Sequence, residues 1–146
     1  MAILRGIEVD VSRHPLVILR YGREYSDSDW SALITRMGEL IRRGPFGCIN
    51  DIRGGAAPSP VQRRTIATLY EENDADVRAH FLAGALVGDS LLLRGVLTAM
   101  NWLRPAPHPV AIFATVPSAE TWVVSHFPEA LRRRLSARSA AMSDER

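Results

Sequence analysis

At 146 residues, 47% of them apolar and with a formal charge of only +2, the chain suits one domain with its own core and needs neither metal nor disulfide to hold it. That charge is too small to argue for nucleic acid, although the pI of about 9.2 leans basic. The single cysteine, Cys48, sits in an apolar run with nothing to pair with, which is the setting of a buried, inert thiol.

All eighteen basic residues are arginine, which coding bias in a GC-rich genome explains more simply than a surface built for bidentate contacts. The opening MAILRGIEVDV lacks the long apolar segment of a signal peptide. No stretch approaches the ~18 apolar residues of a membrane span. The expectation is therefore a soluble, cytoplasmic protein without membrane insertion.

Residues 6–11 and 16–21 are β-branched runs on either side of Ser12-Arg13-His14-Pro15, a pattern that predicts an antiparallel hairpin. Ser26-Asp27-Ser28-Asp29 then opens a helix with acid in its first turn. Trp30, Leu33, Ile34, Met37, Leu40 and Ile41 recur on one face, and Gly44-Pro45 stops it.

Residues 46–52 predict a buried strand ended by Gly54-Gly55, and Ser59-Pro60-Val61-Gln62 has the spacing of a capping box with proline at the first helical position. Asp51, Arg53 and Ser59 should therefore meet at one strand-to-helix junction, the end of an α/β sheet where ligands bind. Ile66, Leu69 and Tyr70 give the next helix its inner side. Glu71, Glu72, Asp74 and Asp76 crowd its carboxyl end, where acid is unfavourable. The helix should stop near Asn73 and leave a short irregular link to an all-apolar strand at 81–87.

Gly88-Asp89-Ser90 turns the chain into a third helix with Leu93, Val96, Leu97, Met100 and Leu103 as its stripe. Leu92 and Trp102 point away from that stripe, so Trp102 between Arg94 and Arg104 fits either a partner surface or the rim of the core. After a proline-rich stop at 105–109 come a last strand at 110–115 and a fourth helix with Ala119, Trp122, Val123 and His126. Ser90 and Ser118 read as helix caps. The domain is expected over 1–128, and 129–146 should form one short helix and a frayed tail.

The order β-β-α-β-α-β-α-β-α predicts a single α/β domain, a mostly parallel sheet of about five strands with an N-terminal hairpin and helices against it. The four histidines lie far apart with no ligand spacing for zinc. Gly54-Gly55 lacks the lysine of a phosphate loop, and no Gly-x-Ser-x-Gly elbow occurs. Neither a cofactor nor a metal is expected, and a small hydrolase or transferase finds no assembled nucleophile and base.

The element order, the junction DIRGGAAPSPVQR, and the later LLRGVLTAMNWLRP and VAIFAT resemble the STAS superfamily. More narrowly, they look like stand-alone bacterial proteins similar to the sporulation anti-sigma factor antagonist, or STAS/SEC14-like. The resemblance runs from about residue 16 to 122 and is one of pattern. It matches Asp51 and Gly54 to the family's strand-end Asp and Gly, and sets Ser59 near the serine or threonine that partner kinases phosphorylate. Arg53 stands where the family often has Ser, and Pro58-Ser59-Pro60-Val61 replaces the usual Asp-Ser-Ser-Gly. A phosphate on Ser59 would have Arg53, Arg63 and Arg64 within its neighbourhood, while the unmodified hydroxyl serves as a cap.

The resemblance implies a non-enzymatic regulatory domain of a bacterial signalling pathway. It would bind a protein partner, a signalling component or kinase, through the 51–64 junction and the third helix, and there is room for a homodimer. Its SEC14 side implies the alternative of a small-molecule or lipid carrier with a pocket between helix and sheet.

Overall fold

The computed structural model describes residues 6–144. Residues 1–5 and 145–146, the outer ends of the expected domain and tail, lie outside the described residues. The chain runs β1 (Ile7–Asp10), β2 (Leu16–Tyr21), α1 (Asp27–Arg43), β3 (Phe46–Asp51), α2 (Pro60–Glu72), α3 (Asp74–His80), β4 (Phe81–Val87), α4 (Ser90–Leu103), β5 (Val110–Phe113), α5 (Val116–Val124) and α6 (Glu129–Asp144). One sheet carries the strands in the order β1-β2-β3-β4-β5. Only β1 and β2 are antiparallel; the other neighbours are parallel. The expected α/β domain with an N-terminal hairpin is what forms.

That strand order decides where the helices go. Each parallel crossover advances in the same direction, and crossovers of one hand then lay their helices on one face. Val17, Leu19 and Cys48 accordingly pack with Leu33 of α1, Ile66 of α2, Val77 of α3 and Leu93 of α4. The alternate residues Leu16, Ile18 and Ile49 point the other way, where α5 and α6 supply Val123, Leu131 and Leu135. Period-two alternation along β2 and β3 thus feeds two separate apolar layers.

Two capping boxes fix the helix starts. Ser26 Oγ accepts from Asp29 N at 3.0 Å while Asp29 Oδ2 accepts from Ser26 N at 2.8 Å. Ser59 and Gln62 do the same at the head of α2, with Pro60 as its first residue.

Several expectations are corrected. The link after Asn73 is not irregular but the helix α3, because Asp74 and Asp76 fall in a new first turn with Arg78 and His80 in its last turn. The same acids that oppose the end of α2 favour the start of α3. α6 extends over 16 residues where a short helix and frayed tail were expected; Leu131 and Leu135 bury one side of it against the sheet. Asp89 caps α4 and Thr115 caps α5, in place of Ser90 and Ser118. Leu103 is 42% exposed instead of completing the inner stripe, and Leu93 is the one fully buried residue of α4. Burying one leucine stabilises by about 1.5–3 kcal/mol, so α4 rests on a single deep anchor.

Candidate functional site

The 51–64 junction forms as its sequence predicts, and it closes on itself. Asp51 is 8% exposed; its Oδ1 accepts from Arg53 N at 3.2 Å and Nε at 2.9 Å, and its Oδ2 from Arg53 Nη2 at 2.9 Å. Burial pushes the Asp51 carboxyl up, but the Arg53 hydrogen bonds and the Arg53 and Arg20 charges outweigh it and hold it below the usual carboxylate range. Gly54 takes the turn at φ +71°. Gly55 passes so close to β2 that an added Cβ would lie 2.8 Å from Tyr21 O. Ser59 is engaged as the α2 cap, and Arg63 Nη1 donates to Pro58 O at 2.8 Å. Asp51 and Arg53 meet, as expected, but Ser59 and Arg63 spend their hydrogen bonds on their own loop.

On α4 the outward placement of Trp102 holds: it is 84% exposed, with Arg94 also exposed. Arg104 does not flank it at the surface. Its side chain turns in and pairs with Asp74 of α3, which also pairs with Arg78 at 2.8 Å.

Beneath α4 lies a feature that the residues named from sequence did not locate. A cavity of about 150 Å³ is bounded by Leu19 and Cys48 of the sheet, Ile66 and Tyr70 of α2, and Val96 and Met100 of α4. Small residues make the space: Gly84 in its floor and Ala67 in its roof put no bulk where a closely packed interior would have it. Burial pushes the Cys48 thiol up to about 12, so it lines the cavity as an apolar group and not as a nucleophile.

One wall is polar. Arg104, at the end of α4, and His108, in the proline-rich loop, both line the cavity. The His108 ring stacks on Phe81 with centroids 3.9 Å apart and planes 7° from parallel. Burial, and then the Arg104 charge, lower its pKa to about 4, so it is neutral at pH 7. Arg104 Nη1 and His108 Nδ1 are buried, and neither has a hydrogen-bond partner.

Sequence reasoning took Arg104 as a surface neighbour of Trp102 and His108 as an isolated imidazole. The one signal in the sequence is that only three residues, two of them proline, separate Arg104 at the helix end from His108, which keeps the two close in the chain. A second, more open groove between α1 and α2, lined by Ile34, Val61 and Thr68 among others, is bordered by Arg64 and Glu72 and gathers no comparable pair.

Among the described residues no group of three His, Cys, Asp or Glu is placed to hold a metal, and no helix is long and apolar enough to cross a membrane. In comparisons with known proteins, no family model, no curated protein and no solved structure matches this chain.

Proposed function

We propose that this protein is a non-enzymatic binding protein that holds a small apolar molecule between its sheet and the α2–α4 layer. This is the carrier reading that the SEC14 side of the resemblance implies. The observation that carries it is the cavity itself, about 150 Å³ and walled mainly by apolar side chains apart from the side of Arg104 and His108. A cavity of roughly that size accepts a guest the size of benzene. The cavity here lies between the face of the parallel strands and the helices α2 and α4.

The experiment is a ¹H–¹⁵N NMR titration of the whole chain with 1-hexanol, a neutral probe. Saturable shifts should concentrate on the cavity residues, Leu86, Gly84 and Met100 among them. A flat response, or shifts confined to the outer face of α4, overturns the reading.

A second reading is favoured by one observation. Trp102 and Leu91 are 84% and 79% exposed, and their eleven-residue separation returns them to one side of α4. Such a face suits a protein partner, as expected for a signalling module of the STAS kind. The Asp51–Arg53 pair and Ser59, the other elements of that reading, are occupied with each other or with their own loop, which leaves α4 as its main support.

A further inference from the structure

We infer that the guest of this cavity is an apolar monocarboxylic acid whose carboxylate is received by Arg104 Nη1 and His108 Nδ1. The inference rests on the binding reading above and names its ligand class.

The lining is asymmetric in charge. Among the described residues it includes Arg63, Arg104 and His108 and neither Asp nor Glu. Arg63 donates to Pro58 O and Arg104 Nη2 donates to Asp74. Arg104 Nη1 and His108 Nδ1 donate to nothing. A buried polar group left unmatched is costly, and native structures contain few of them.

Both residues line the same cavity, and the chemistry of the two atoms defines the kind of ligand that would pair with them. Arginine presents N–H donors and no acceptor. A neutral His108 with its proton on Nδ1 adds a second donor. Two donors beside a fixed positive charge match the two oxygens of a carboxylate, and they repel an ammonium head.

The local charge balance agrees. Asp74 serves both Arg78 and Arg104, so Arg104 shares its only acidic partner with a second cation. A phosphate monoester would bring more charge and more acceptor oxygens than two donors satisfy. The body of the guest then lies among the apolar lining, Leu19, Ile66 and Leu86 included. At about 150 Å³ the space suits a single ring or a short acyl chain.

The test compares hexanoate, 1-hexanol and hexylamine on the whole chain at pH 7 by the same NMR titration. Hexanoate should bind about tenfold or more tighter than hexanol, the effect of a charge-assisted hydrogen bond in a dry site, and hexylamine more weakly than either. Arg104→Gln and, separately, His108→Gln should bring the ratio of hexanoate to hexanol affinity down toward one, and hexanol binding by each variant reports that it has folded. If hexanol binds in the cavity and hexanoate binds no tighter, the carboxylate assignment falls and the apolar reading stands. If hexanoate keeps its advantage in both variants, the assignment to these two residues falls. If neither hexanol nor hexanoate binds, both readings fall together.

Discussion

The two faces of the sheet are packed to different standards. Gly47 of β3 faces α5, where an added Cβ would sit 2.5 Å from Val123 Cγ1 and 2.6 Å from Phe127 Cε1, nearer than atoms can approach. Gly84 of β4 pairs with the next residue, Cys48, and so faces the other way. There an added Cβ meets its nearest neighbour, Phe81 Cε1, at 3.4 Å. Strands that are hydrogen-bonded neighbours thus present a full face and a hollow one. The difference lies in the covering helices. α5 is nine residues long and buries Ala119 and Val123, whereas α4 spends fourteen residues to bury Leu93. α4 is secured instead at its ends, by the Asp89 cap and by Arg104 on Asp74. A helix held at its ends can span a gap that a helix held along its length would fill.

The largest expected effect tests whether the hollow face is dry. His108 takes a proton near pH 6.5 when unfolded and only at about 4 when folded. Between those values the unfolded chain binds more protons, so stability should fall as the pH drops from 7 to 4, by about 3 kcal/mol from this residue. The Asp10 and Asp51 carboxyls, both held low, lose their contributions in the same direction at the acid end. Urea unfolding of His108→Gln beside the parent at both pH values isolates the histidine, and equal losses in the two proteins would mean that this wall is open to water.

Next in size is the glycine pair. Gly47→Ala should cost about 1–3 kcal/mol by overpacking, while Gly84→Ala should change stability by less than about 1 kcal/mol, since alanine suits a strand better than glycine and has space there. Thermal or urea midpoints measure both, and equal costs would erase the contrast between the faces. The smallest effect belongs to the outside of α4. Trp102→Ala should leave stability within about 0.5 kcal/mol of the parent, and a loss of roughly 3 kcal/mol would mark Trp102 as core. Partner capture lost in this variant at unchanged stability would strengthen the second reading.

Much of this architecture could be read from residue order. Apolar and β-branched runs gave the strands, acid in the first turn after Ser26 and the Ser59–Gln62 box gave two helix starts, and the direction of Trp102 followed from its angle to the stripe. The misreadings have physical causes. The stop near Asn73 was legible, but Asp74 and Asp76 were counted against the helix before it, and no glycine or proline marks the start of a new one. α6 is held by Leu131 and Leu135 against a sheet face that only the folded topology leaves bare. The cavity was invisible for a deeper reason: it is volume that no residue occupies, enclosed by segments distant in the chain, and periodicity reports only what a segment buries. Phe81–Val87 reads as covered on both faces; nothing in its residues says that one cover stands away from it.

The three tryptophans sit in three unlike surroundings, and this gives the molecule its own optical sensor. Trp30 lines the cavity and donates from Nε1 to Thr65 Oγ1 at 2.7 Å. Trp122 lies edge-on to His126 with ring centroids 4.5 Å apart. Trp102 stands in solvent. Indoles in apolar surroundings emit at shorter wavelengths than indoles in water. Replacing Trp102 with phenylalanine would remove the red, solvent-exposed emitter, leaving Trp30 to follow the filling of the cavity by colour.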